Sequence, residues 1–241
     1  MKIIPVATGS SGNLYLIKTI NDNKYLLECG IKDKSIMKYL YVYNKEYINN
    51  YKACFISHIH SDHSLSAKWV NKYMPIYSNR QVMEKGFKGE VLKPNTLIRF
   101  DDFSVMPFNV EHGNAENYGY MFKDDESKIL FITDFQSFDV NISNIKFTEI
   151  FIECNWTKEL MLEMLENTKD SPEYIKFERQ FNTHCSLSIL VEILKNLDLS
   201  CCKSIHLIHA SKEVCDKKTA IFTLKYMFPN INVNFIENER I

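Results

Sequence analysis

The stretch Ser57–Ser64, SHIHSDHS, places three of the chain's seven histidines and an aspartate within six positions. Neutral imidazoles and a carboxylate are the ligands that zinc and other borderline divalent cations accept. His58 and His60 are two apart at the end of an apolar run, Lys52–Ser57, that reads as a strand. Period-2 alternation then points both rings to one face. Asp62 and His63 follow on the turn into a segment of helical spacing, Ser64–Tyr73, where the chain bends and can aim them back at the same spot. This differs from H-E-x-x-H, which needs a helix to bring its two histidines together.

One turn cannot enclose two ions, so further ligands must come from strand ends of the same construction. His112 follows the apolar strand Phe103–Val110, Asp134 ends Lys128–Thr133, and His209 ends Ile205–Ile208. Taken singly, each of these would more often be structural or on the surface. Their repeated placement at the end of a hydrophobic strand makes them candidates as a set.

The elements that must position these residues are strands and helices interleaved along the whole chain. Lys2–Val6, Asn13–Lys18 and Lys24–Glu28 are short β-prone runs between turn residues and read as an antiparallel meander. Helical spacing covers Lys32 to about Tyr41. Short strands are expected near Ile76, Val91, Leu97–Phe100, Asn117–Phe122 and Glu149–Glu153, with later ones at Ser204–His209 and Ile231–Phe235. Helices are expected over Lys158–Glu166, Ser186–Lys195 and Lys217–Tyr226. No linker, repeat or low-complexity segment interrupts the pattern, which predicts one α/β domain over residues 1–241. Two half-domains joined near Thr133–Ser143 are the alternative.

Composition excludes several classes. Lys+Arg of 29 against Asp+Glu of 30 leaves a net charge of -1, which gives no whole-chain pull toward nucleic acid or an anionic membrane. The longest uncharged runs are far short of the roughly 18 apolar residues of a membrane span. The start, MKIIPVATGSSG, has neither a long apolar region nor a small-residue cleavage site, so export is not expected. The seven cysteines are scattered, form no C-x-x-C pair and sit mostly in apolar runs, as free thiols in a reducing cytoplasm do.

The order H-x-H-x-D-H, a lone His, an Asp after a strand and a final His resembles the ligand order of metallo-β-lactamase-fold hydrolases. The blocks TGSSGNLYLI (8–17), ITD (132–134), ECN (153–155), THCS (183–186) and HLIHAS (206–211) extend the similarity to nearly the whole chain, toward a bacterial exonuclease branch. Within that branch the chain is most similar to phage phosphodiesterases that degrade the cyclic nucleotides of antiviral signalling, the anti-Pycsar group. The resemblance implies a metallo-β-lactamase-like αββα sandwich and two divalent cations, Zn2+ or else Mn2+. His58, His60 and His112 would hold one cation, Asp62, His63 and His209 the other, with Asp134 bridging. It implies a phosphodiesterase of cyclic nucleotide signals acting in phage evasion of host defence, cytoplasmic and homodimeric, with a DNA or RNA nuclease of the same fold as the alternative.

In the same reading Asp62 orients the attacking water. His184 stabilises the reacting phosphate or protonates the leaving oxygen, and Asn155 joins it in contacting substrate. Two positions depart from the family's pattern. Glu28-Cys29-Gly30 stands where an Asp-Cys-Gly segment is common, and Thr183 and Cys185 flank His184 where Gly and Leu are usual. Glu28 can still accept a hydrogen bond from a ligand imidazole, with a different reach. His206 is expected to be structural, and Gly9–Asn13 to form a tight turn near the site rather than a phosphate loop. The aromatics between Trp156 and Phe181 pack as core or form a lid that stacks on a base.

Overall fold

The computed structural model describes residues 1–237. Among these residues fourteen strands build two sheets. The first contains β1 (Lys2–Ala7), β2 (Leu14–Lys18), β3 (Lys24–Leu27), β4 (Tyr51–Phe55), β5 (Ile76–Ser78) and β6 (Gly89–Val91), hydrogen-bonded in that order. The second contains β7 (Ile98–Arg99), β8 (Ser104–His112), β9 (Ala115–Lys123), β10 (Lys128–Ile132), β11 (Ser137–Phe138), β12 (Glu149–Glu153), β13 (Ser204–Ile208) and β14 (Asn232–Phe235). Its order is β11-β8-β9-β10-β12-β13-β14, with β7 paired to β8. The helices are α1 (Asp33–Lys38), α2 (Ser61–Ser64), α3 (Ala67–Val70), α4 (Arg80–Met83), α5 (Lys158–Thr168), α6 (Tyr174–Thr183), α7 (Leu187–Lys195) and α8 (Lys217–Met227).

Alternation along the strands explains the layering. Along β4 and the residue after it, Ala53 and Phe55 enter one cluster while Cys54 and Ile56 enter another, and in β10 Ile129 and Phe131 part from Leu130 and Ile132 in the same way. Strands apolar on both faces must be covered on both faces. The aromatic cluster of Tyr15, Tyr25, Phe55, Phe103, Tyr120, Phe122, Phe131 and Phe151 lies between the sheets. Outside it, α7 and α8 cover the second sheet while α1, α3 and α4 cover the first. The result is the expected αββα sandwich.

Strand direction decides where chemistry can sit. β3, β4 and β5 run parallel, as do β10, β12 and β13. β8 is antiparallel to β9, which is antiparallel to β10, so β8 and β10 share a direction. The carboxyl ends of β3, β4, β8, β10, β12 and β13 carry Glu28, His58, His112, Asp134, Glu153 and His209. Crevices outside the carboxyl ends of such strands are where ligands bind in α/β sheets.

The expected meander holds for β1 to β3, but β3 pairs with β4 in parallel. The single helix expected over Ser64–Tyr73 is two short ones, and α2 starts early enough to carry Asp62 and His63 on its own turn. α6 is not among the expected helices, although Tyr174, Phe177 and Phe181 recur along it at helical spacing and Phe177 is fully buried.

The segment 28–30 locks this arrangement. Cys29 N donates to His63 O at 2.9 Å, Ser66 N to Cys29 O at 2.9 Å, and Gly30 N to Asn13 O at 2.8 Å. A Cβ on Gly30 would lie 1.6 Å from Asp62 O, so only glycine admits this approach. Gly30→Ala should therefore cost roughly 3 kcal/mol of stability in denaturant unfolding. Gly86→Ala, with positive φ but open space around its Cβ, should cost only about 1 kcal/mol.

Candidate metal centre

Two groups of ligand atoms converge at the strand ends, one formed by His58, His60, His112 and Asp134 and the other by Asp62, His63, Asp134 and His209, and a third, Asp134, Glu153, His184 and His209, overlaps the second. In the first, His58 Nε2 and His60 Nδ1 are 2.9 Å apart, and His112 Nε2 lies 3.2 Å from the same His60 atom. Asp134 Oδ2 stands 3.7 Å from His58 Nε2 and 3.6 Å from His112 Nε2. In the second, Asp134 Oδ1 lies 3.4 Å from His63 Nε2 and 3.2 Å from His209 Nδ1. Asp62 Oδ2 is 3.5 Å from His63 Nε2 and 3.3 Å from His209 Nε2. Each oxygen of Asp134 thus faces a different group.

The rest of the molecule aims these rings. His112 Nδ1 donates to Thr183 O at 3.0 Å, so its Nε2 carries the lone pair that faces His60. Ser57 Oγ is 2.9 Å from His58 Nδ1. Glu28 is fully buried, accepts Ser57 N at 3.2 Å and lies 3.5 Å from His63 Nδ1, so the glutamate reaches the ligand ring. Asn13, at the end of the Gly9–Asn13 turn, donates to Asp62 O at 3.0 Å and sits 3.0 Å from His63 Nε2. Three of the strand-end residues have left-handed backbone: Glu28 (φ 62), Asp134 (φ 50) and His209 (φ 52). That conformation costs a non-glycine residue about 1 kcal/mol or more and clusters where function requires it.

Charge separates the two groups. Burial holds His58 well below the usual imidazole range, and it also lowers His112 and His60. Burial pulls His63 and His209 the same way, but the Asp134 carboxylate, with Glu28 beside the first and Asp62 and Glu153 beside the second, overcomes it. His63 ends well above its ordinary value and His209 at about 10. Burial alone would raise Asp134, yet His209 and His63 hold it well below the carboxylate range. One group is therefore a set of neutral imidazoles whose lone pairs converge with too few protons to share. In the other, protons occupy the place of a cation. Both patterns fit divalent metal binding, which replaces ligand protons.

Glu153 is a participant that the sequence reading did not assign. It is fully buried; its Oε1 accepts from His184 Nδ1 at 2.7 Å and His209 Nδ1 at 3.0 Å, and its Oε2 from the N–H groups of Phe135 and Cys185, both at 3.1 Å. The available clue was a charged residue closing the apolar strand EIFIE, the same construction as Asp134. His184 stacks on His209 with centroids 5.4 Å apart and lines the cleft above the ligand groups. With Nδ1 donated to Glu153, its Nε2 remains for the cleft.

Asn155 is the other residue expected to contact substrate. It is 3% exposed and does not line the cleft; its amide donates to His209 O at 2.8 Å and accepts from Gln180. The side chain is used up in holding His209 and α6 together. His206 lies away from the site, stacked on Phe151 and 3.1 Å from Asn234. Trp156 is buried against Phe181 and Phe177 packs in a small core with Met161 and Val214, so these aromatics anchor α5 and α6. All seven thiols are free.

The cleft has a volume of about 740 Å³, and Ser10, Gln81, Asn114, Arg179, Thr183 and His184 stand around the ligand groups. No helix among the described residues is long and apolar enough to cross a membrane.

No family model matches the sequence. The exodeoxyribonuclease YycJ of Bacillus anthracis is 28% identical over 140 residues, 54% of this chain and 52% of that protein, so the chain matches about half the length of this curated relative. Among solved structures, the metallo-β-lactamase fold protein YhfI of Bacillus subtilis superposes with a TM-score of 0.74 at 16% identity, covering 98% of this chain and 95% of that one. The short form of human tRNase Z gives 0.64 at 14% identity, covering 99% and 97%. A diphosphatase from the PhnP family gives 0.66 at 16%, covering 98% and 94%. The chain has the metallo-β-lactamase fold.

Two measurements follow from the site's electrostatics. A pKa raised from 6.5 to about 10 makes the contribution of His209 complete below pH 6.5 and lost as pH climbs through 10. Chelator-stripped protein should therefore show a falling Tm over that window, and Zn2+-loaded protein, with the proton already displaced, should not. Glu153→Gln removes the shared anionic acceptor of His184 and His209. It should weaken metal affinity at the His209 group by roughly 10- to 100-fold in chelator competition, with little change at the other group.

Proposed function

We propose that the protein is a metal-dependent phosphodiesterase that holds two divalent cations and hydrolyses cyclic nucleotide signals. The observation that carries this is the Asp134 carboxylate, each oxygen turned to a separate ligand group, beneath a cleft that His184 lines. His58, His60, His112 and Asp134 would hold one cation, and Asp62, His63, His209 and Asp134 the other. Zn2+ suits the imidazole-rich donor set, and Mn2+ would be tolerated where carboxylates dominate. When bound, two cations supply Lewis acidity, lowering the pKa of the attacking water and neutralising charge on the phosphoryl oxygens.

The chain's own residues do the rest. The outer carboxylate oxygen of Asp62 accepts a hydrogen bond from the attacking water and directs its lone pair at phosphorus. His184, oriented by Glu153, presents Nε2 to the leaving oxygen and delivers a proton as the P–O bond breaks. The buried floor formed by His58, His63 and Asp134 keeps bulk water from that side, which strengthens each electrostatic contact.

A near-neutral chain with a small cleft suits a small anionic substrate better than a long polyanion. The partial identity to an exodeoxyribonuclease supports a second reading, cleavage of DNA ends by the same machinery. Action against a host's cyclic-nucleotide defence, in the host cytoplasm, is the biological setting that the leading reading proposes.

The deciding assay sets 3′,5′-cyclic nucleotides, cyclic oligonucleotides and single-stranded DNA side by side with the metal-loaded protein. Cyclic nucleotides should be hydrolysed, and Asp62→Ala should lower kcat/KM by roughly 10³-fold. Cleavage of DNA alone would replace the leading reading with the second. Full activity in Asp62→Ala would remove the metal mechanism.

A further inference from the structure

We propose that Arg179 holds a second, non-reacting phosphate of the substrate, so that the site favours phosphodiesters bearing at least two phosphates over those bearing one. The inference rests on the phosphodiesterase reading and narrows its substrate class.

Arg179 lines the cleft on α6, one turn before Thr183. That places it about 6 Å back along the helix axis from Thr183, whose carbonyl orients His112. The helix is held firmly at this end. Gln180 donates to Asn155, Trp156 Nε1 donates to His184 O at 3.0 Å, and Phe177 is buried in the α5–α6 core. Its neighbour Lys176 is paired with Glu213, whereas the Arg179 guanidinium makes no ion pair among the described residues.

Among the described residues, Arg179 is the one arginine that lines the cleft. The planar fork of a guanidinium matches two phosphate oxygens at once. A reacting phosphate lies on the floor, against Asp62, Asp134 and His184. Arg179 stands outward of that floor and is solvent-exposed, with the neutral amides of Gln81 and Asn114 also lining the cleft. A substrate with one phosphate leaves this cation in water, whereas one with two places its second anion on it.

The test compares wild type with Arg179→Met on a 3′,5′-cyclic mononucleotide and on a cyclic dinucleotide. The variant should lose roughly 10- to 100-fold in kcat/KM on the dinucleotide, mostly through KM, with a loss at least several-fold smaller on the mononucleotide. Arg179→Lys should recover part of the dinucleotide loss. Calorimetric binding of a non-hydrolysable phosphorothioate cyclic dinucleotide to zinc-loaded protein should weaken by the same factor. Equal losses on both substrates, or none on either, would overturn the assignment. If wild type hydrolyses neither substrate, the phosphodiesterase reading falls by itself, and the binding measurement still decides the role of Arg179. An unchanged phosphorothioate affinity in Arg179→Met would then refute it.

Discussion

Asp134 is a carboxylate 2% exposed to solvent whose two oxygens belong to different groups of imidazoles. Burying one anion is costly unless it is paired and hydrogen-bonded. Here Glu28 and Glu153 are buried beside it, with Asp62 partly so. Such a concentration of negative charge persists in a folded chain only where positive charge is supplied to the same place. Protons on His63 and His209 meet that need in part, and divalent cations would meet it more fully. The left-handed backbone at Asp134, the Asn117 amide donating to Asp134 O at 2.6 Å and the network around Glu153 all serve this one demand.

The two sheets are what make such a site possible. Candidate ligands from residues 58 to 209 meet because strands of shared direction release their carboxyl ends at one edge of the sandwich. The aromatic cluster between the sheets fixes their separation. At that edge the backbone leaves regular pairing, and its polar groups are met by side chains such as Asn13, Asn117 and Asn155. Loops there are free to carry chemistry because the sheets beneath carry the stability.

The later part of the chain adds a second structural idea. α5 and α6 are anchored by a small core of Trp156, Met161, Phe177 and Val214 rather than by either sheet. That placement brings Thr183, His184 and Arg179 over the ligand groups from one side. Glu153 couples this helical arm to the floor, since one carboxylate oxygen accepts from both His184 and His209.

The sandwich and the seven candidate ligands were readable from the chain because each rests on a local pattern. Apolar alternation marks a strand, and a histidine or aspartate at its end is conspicuous against it. Glu153 follows the same pattern, but its chemistry depends on His184 and His209 arriving from 31 and 56 residues away. Asn155 looked like a substrate contact from its neighbours in sequence, and only packing shows its amide already committed to His209 and Gln180. Tyr174, Phe177 and Phe181 recur at helical spacing along α6, but nothing local to the chain sets Arg179 at the cleft, since the helix is held there by Asn155 and the α5 core. Local order along the chain determined which strands form and which residues end them. Tertiary structure decided which of those ends meet, because the cost of a buried charge depends on what lies across from it.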